Sequence, residues 1–298
     1  MTHQLIASSF VQHFRKVQRI FDNIKHAIKD MIEPTNSNST GIRKEMVRNI
    51  LRKVEALRLK IEWPSPPKDK QLDKRYKNIK IRKSKYLLRT VSQLSKLSRA
   101  DNVEEVLKNI IEIPWSLLTQ PFLNRKGPIA LNYGALGQII GHESAHVVAD
   151  IINIPAAALL LKRISACLVE QYSEFCPLKG KGLEMQCLNG TRTLIENIAD
   201  NIGLLAAYSA YRKDLGREKD PELPEDLFGK MTKDQLFFLG YAQMFCEPQP
   251  NNNSTLRQLQ QDNHSPLKYR LIGSVKNCPM FYKAFQCPSQ RRCFSKSP

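Results

Sequence analysis

The stretch GHESAHVVAD, residues 141–150, decides how the rest of the chain is read. His142 and His146 stand four residues apart, which on a helix puts two imidazoles on one face where both can meet one metal ion. Glu143 directly follows the first histidine and can act as general base on water activated by that metal. Three fixed positions in five recur by chance, so the pattern needs support from elsewhere. The tail Val147-Val148-Ala149 is also more apolar than is usual after such a motif.

Two further stretches supply the support. ENIADNIGLLAAYSAY begins at Glu196, and a helical E-x-x-x-D puts Glu196 and Asp200 on one face. Glu196 is then a candidate third ligand. Asp200, one turn on, can accept the N–H of a ligating histidine and so fix its tautomer and orientation. Two histidines and one glutamate leave a fourth position open, the arrangement of catalytic rather than structural zinc. DNHSPLKYRLIGSV places His264 and Arg270 on either side of a Ser-Pro turn. Such a pair can donate to the oxyanion of a tetrahedral intermediate and to a substrate carbonyl.

The surroundings of these motifs are uneven in charge. The 298 residues carry a formal charge of +18, and residues 43–99 hold nineteen Lys/Arg against five acids, so that segment alone supplies +14. It lacks aromatic interleaving beyond Tyr76 and Tyr86, so a solvated basic helical face is expected and no nucleic-acid partner. No export signal is visible at the start, and the most apolar run, VVADIINIPAAALLLKR, is too short and too polar to span a bilayer. The seven cysteines all fall after residue 166 and show no C-x-x-C spacing. They point to disulfides with at least one thiol left over, against the alternative of reduced thiols in a cytosolic protein. Sequons at Asn38, Asn189 and Asn253 are compatible with secretion.

Periodicity predicts a predominantly helical chain. Apolar residues recur at helical spacing over 5–32 and 42–62, the second series being Met46, Ile50, Val54, Leu57 and Ile61. The run WPSPPKDKQ ends that helix, because three prolines in four positions cannot continue it. A basic helix is expected over 70–98, and 103–113 fits helix or strand. The HESAH helix runs from Tyr133 to about Val148, with further helices over 156–174, 192–213 and 232–245. The Asn/Gln-rich 249–263 reads as a loop before a last helical stretch, 265–285.

Four stretches occur in order: NYGALGQIIGHESAHVVAD, TLIENIADNIGLLAAYSAY, DQLFFLGYAQMFC and HSPLKYRLIGSVKNCPMFYKAFQCP. Together they resemble the C-terminal catalytic part of the neprilysin and endothelin-converting enzyme family of zinc endopeptidases, from about Pro114 to Cys293. The resemblance is weaker over residues 5–113, where the family has its inter-lobe helices. It implies a mainly α, thermolysin-like catalytic domain with a small β element over 101–298, preceded by a basic helical segment over 1–100. It also implies one zinc ion per chain on His142, His146 and Glu196, with Glu143 as catalytic base. Asp200 and Asp150 would steady the ligands, His264 would stabilise the transition state, and Arg270 would bind substrate backbone. Peptides would be the substrates, at an extracellular or membrane-associated location. Cys167 and Cys293 match a family pair, Cys176 and Cys187 would close a local loop, and Cys246 and Cys287 take positions whose family partners lie in the N-terminal segment.

Four departures stand beside the resemblance. The family's large N-terminal lobe and membrane anchor have no counterpart in this sequence, which would turn a closed chamber into an open groove. Asp101-Asn102-Val103-Glu104 replaces the Asn-Ala-aromatic-Tyr motif of the family's substrate-gripping strand. The segment between Asp150 and Cys167 is shorter than in the family. Val147-Val148-Ala149 and Ile195 stand where smaller or different residues are usual. The reading is therefore a zinc metalloendopeptidase, with a catalytically impaired zinc-binding relative, acting as a binding or decoy protein, as the alternative.

Overall fold

The computed structural model describes residues 2–32, 41–62, 109–124, 126–149, 155–180, 183–217, 220–221, 231–248, 250–288 and 293–294. The expected basic helix over 70–98, the Asp101–Glu104 stretch, Asp150 and the Asn38 sequon lie outside them. The chain forms two compact units, Ala56–Ser116 and the combination of Met1–Glu55 with Leu117–Pro298.

The smaller unit contains a parallel pair, β1 (Arg58–Glu62) and β2 (Ile110–Pro114), in register from Arg58 opposite Ile110 to Glu62 opposite Pro114. Lys60 faces Glu112 across the pair and bonds to it. The strand β1 corrects the helix expected to run to residue 62. Leu57 and Ile61 fit a helical period, but Leu57, Leu59 and Ile61 alternate equally well with Arg58, Lys60 and Glu62. A partner strand 52 residues away settles the choice, because a short strand gains its backbone hydrogen bonds only by pairing. The ambiguous 103–113 resolves likewise into strand over its described end.

In the larger unit, α1 (Thr2–Ile32) presents Val17, Ile20, Phe21, Ile24, Ala27 and Ile28 as one buried stripe at intervals of three and four. Its polar edge is tied to the motif-bearing part of the chain: Arg19 grips Asp214 with two nitrogens, and Asn23 donates to the Tyr133 hydroxyl at 2.7 Å. Tyr133 in turn donates to Asp214 at 3.0 Å. Helix α2 (Gly41–Ala56) follows, with Ile50 and Val54 buried and Glu55 paired to Lys29 at 2.8 Å.

The motif-bearing helix is built in three parts. A single turn, α3 (Ile129–Asn132), passes through a π-helical turn at Tyr133–Gly137 into α4 (Gln138–Ala149). Such a turn inserts one residue into the helical count and is frequent beside functional sites. The apolar tail of the motif has a plain structural use, since Val148 and Ala149 are buried. Helix α5 (Pro155–Ser173) leads to a hairpin of β3 (Leu178–Gly180) and β4 (Leu183–Gln186), flanked by the Cys176–Cys187 disulfide. The long helix α6 (Leu194–Asp214) then crosses α4.

Among the described residues four helices follow α6. Helix α7 (Lys233–Gln243) starts at a capping box, in which Thr232 and Gln235 exchange side-chain and backbone hydrogen bonds. The expected loop at 249–263 is instead largely helix α8 (Asn252–Gln261). Its composition hid the start signal: Asn251 is the N-cap, accepting from the Ser254 amide at 2.9 Å, and Thr255 faces inward. The last stretch is two helices, α9 (Leu267–Lys276) and α10 (Pro279–Phe285), because Pro279 forces Cys278 into extended backbone and restarts the helix. A second disulfide, Cys167–Cys293, ties α5 to the C-terminal end. Cys246 and Cys287 are exposed and outside both disulfides. Among the described residues no helix is long and apolar enough to cross a membrane.

Candidate metal centre

The two helices that carry the site touch backbone to backbone. A Cβ at Gly141 would lie 2.6 Å from the Gly203 carbonyl oxygen, and one at Gly203 would lie 2.5 Å from the His142 nitrogen. Only glycine at both positions permits this crossing, and the crossing brings Glu196 and Asp200 of α6 up to the histidines of α4. Gly203→Ala is therefore expected to push the helices apart, lowering stability by about 1–3 kcal/mol. Zinc affinity should fall with it; thermal melts and metal titrations of the variant check both.

The donor atoms form a small triangle. Nε2 of His142 and Nε2 of His146 are 3.2 Å apart. Oε2 of Glu196 lies 3.2 Å from the first and 3.6 Å from the second. Donors bound to a tetrahedral zinc ion at about 2.0–2.1 Å stand roughly 3.4 Å from one another. The triangle is thus the size the ion needs. The orientation of its atoms also fits a cation. Oε2 of Glu196 is buried and no hydrogen bond is aligned on it, although three imidazole nitrogens surround it. Donor atoms turned toward a common point repel one another unless a proton or a positive ion sits among them.

His264 competes with His146 for the second nitrogen position, since His142, Glu196 and His264 bring ligand atoms within 4.8 Å of one another. Ring geometry separates the candidates. Two imidazoles bound to one tetrahedral ion have centroids roughly 5 Å apart. The His142 and His146 rings are 4.8 Å apart and perpendicular, whereas His142 and His264 are 6.4 Å apart and nearly parallel. His264 stands back, with Nε2 3.0 Å from the Glu196 oxygen.

Behind the triangle lies a buried charge relay. Asp200, fully buried on α6, accepts from His142 Nδ1 at 2.7 Å. A carboxylate can only accept, so Nδ1 carries a proton and Nε2 is the ring atom turned toward the centre. Arg270 of α9 donates through Nε and Nη2 to the two oxygens of Asp200, each at 2.7 Å. Burial opposes the charge of Asp200, but Arg270 first and His142 next hold its carboxyl well below the usual range. Burial also opposes charge on His142, yet the Asp200 carboxylate pushes that ring up to about 10. For Glu196, burial is outweighed by the proximity of His142 and His264, and its carboxyl is held far below the ordinary value.

The sequence-predicted residues His142, His146, Glu196, Asp200, His264 and Arg270 all converge here. Glu143 stands exposed next to His142, with no hydrogen bond or ion pair among the described residues. The guanidinium of Arg270, assigned by resemblance to substrate backbone, has two of its nitrogens on Asp200. One partner escaped the sequence reading: Asp262 accepts from the His264 amide at 2.9 Å and meets its Nδ1 at 3.0 Å. Burial lowers the affinity of His264 for a proton, but Asp262 and Glu196 raise it above the ordinary value overall. An Asp two residues before a His, able to bond back to the backbone, was the available signal.

A mainly helical domain with two imidazoles and a carboxylate converging from crossed helices is an arrangement that zinc metallopeptidases use. The matches to known proteins narrow this class. Residues 105–297 match the model of peptidase family M13, more than half of the chain. The chain belongs to that family. It is 37% identical over 193 residues to endothelin-converting enzyme 1 of Cavia porcellus, covering 61% of this chain and 24% of that protein. It is 30% identical over 304 residues to an endothelin-converting enzyme homolog of Locusta migratoria, covering 90% of this chain and 40% of that one. The chain thus spans from about a quarter to two fifths of the length of these relatives. Its fold is similar to that of zinc metalloprotease Zmp1 of Mycobacterium tuberculosis, solved with an inhibitor, with a TM-score of 0.69. That match is 22% identical and covers 95% of this chain and 46% of the other.

Proposed function

We propose that the chain is a zinc metalloendopeptidase catalytic domain, holding one zinc ion on His142, His146 and Glu196. The observation that carries this reading is the triangle of donor atoms, with sides of 3.2, 3.2 and 3.6 Å. When bound, zinc supplies Lewis acidity, acidifying water and polarising a carbonyl. Glu143, exposed and adjacent to His142, takes up a proton at its carboxylate as general base. His264 donates through Nε2 to the oxygen on which negative charge develops, with Asp262 holding its other nitrogen. Asp200 fixes the His142 tautomer, and Arg270 keeps Asp200 charged and in place while its remaining nitrogen is available to a substrate carbonyl. Peptides are the substrate class, from the family. Two disulfides in a chain of this family support an extracellular or luminal site of action.

The test is cleavage of a diverse peptide library by the zinc-loaded chain, read by mass spectrometry. Cleavage that a chelator removes and added zinc restores supports the reading. A chain that retains zinc and cleaves nothing is instead a binding or decoy protein. The His142 environment adds a pH prediction. In the metal-free chain this ring is protonated at pH 7, because its pKa is pushed up to about 10. Zinc must displace that proton, so apparent zinc affinity should rise about tenfold per pH unit between roughly pH 6 and 9. Calorimetry in buffers of different ionisation enthalpy counts the released proton directly.

A further inference from the structure

Next to the metal centre runs a second, largely buried polar chain that takes no part in the chemistry above. Ser265 and Asn197 are 1% and 0% exposed, and the Ser265 hydroxyl donates to Asn197 Oδ1 at 2.9 Å. An amide oxygen only accepts, so the direction of this bond is fixed. Asn197 Nδ2 donates to Thr193 Oγ1 at 2.9 Å, and the Thr193 hydroxyl donates to the Asn189 carbonyl at 3.2 Å. Flipping the amide would leave the Ser265 proton and the Asn189 carbonyl without this matching. Both Asn197 and Ser265 are therefore locked in one orientation.

The placement of this chain gives it a use. Asn197 follows the candidate ligand Glu196 on α6, and Ser265 follows His264 on the segment leading into α9. The Ser265–Asn197 bond thus lies one residue along from the 3.0 Å approach of His264 to Glu196. One contact alone is a hinge. Two ties at consecutive residues fix both the register and the rotation of residues 264–265 against α6. Asp262 orients the His264 ring within its own loop, but nothing in that contact relates the loop to α6.

We propose that Ser265 is a positioning residue, which by donating to Asn197 sets the distance at which His264 faces the Glu196 corner of the metal centre. This rests on the peptidase reading for what His264 does once placed, and not for where it is placed. The test compares the full chain with Ser265→Ala, which removes the hydroxyl, and Ser265→Thr, which keeps it. In Ser265→Ala the ring resonances of His264 (assigned with His264→Gln) are expected to move or broaden in carbon-edited spectra, while those of His142 and His146 hold. Zinc affinity should be unchanged, affinity for a phosphonate peptide analogue should fall about tenfold, and Ser265→Thr should restore both the spectrum and the affinity. A folded Ser265→Ala with an unaltered His264 resonance overturns the proposal. So does an equal disturbance of all three histidines with loss of zinc, which marks general packing. Should Ser265→Ala fail to fold, Ser265→Cys, which keeps the volume and weakens the donor, reads the same displacement. A parent chain that binds no phosphonate sinks the peptidase reading, while the resonance comparison still decides the position of His264.

Discussion

Glu143→Gln is expected to abolish peptide cleavage, lowering kcat/KM by about 10²–10⁴-fold or more, while the chain keeps its zinc. The separation of the two effects follows from the geometry. Glu143 is exposed on α4 and makes no bond to the triangle of His142, His146 and Glu196, so exchanging its carboxylate for an amide leaves the donors undisturbed. Gln matches the shape but cannot take up a proton at pH 7, so only the base is lost. Parallel measurements of cleavage and of bound zinc check the prediction. Retained cleavage would remove Glu143 from the reaction, and lost zinc would mean that its charge supports the site.

Asp200→Ala is expected to be the most destabilising single change at the site, costing about 3–5 kcal/mol. Its carboxylate is 0% exposed and holds two Arg270 nitrogens and one His142 nitrogen. Removing it leaves a part-buried guanidinium without its partner, and lets the His142 ring turn and change tautomer. Metal affinity should drop about 10–100-fold as well. The acid limb of stability has the same source. The folded carboxyl is held well below its unfolded value of about 3.9. Its contribution is therefore present above that pH and is lost as the pH falls toward the folded value. Denaturant titrations of the two proteins between pH 3 and 7 check this, because the gap between them should narrow at the acid end.

Legibility in the sequence followed the range of the interaction. His142 with His146, and Glu196 with Asp200, are each one turn apart on a single helix, so spacing alone put them on common faces. His264 and Arg270 were singled out by the family resemblance, since taken alone each reads as a surface residue. Most of what escaped was set by distant partners. Strand β1 depended on β2, and its Leu57 and Ile61 served two periods at once. Helix α8 was masked by a polar composition whose start signal was the side chain of Asn251. The hydrogen bond from Ser265 to Asn197 joins residues 68 apart, and nothing in either local sequence announces it. The glycine pair at 141 and 203 is of the same kind, since each glycine matters only because the other helix passes there.

The most direct measurement is a calorimetric zinc titration of the metal-free chain beside His146→Ala and His264→Ala. One zinc per chain is predicted for the parent, with tight binding lost in His146→Ala and the stoichiometry of one preserved in His264→Ala. Binding that survives the loss of His146 and fails with the loss of His264, or a parent chain that takes up no zinc, would contradict the account.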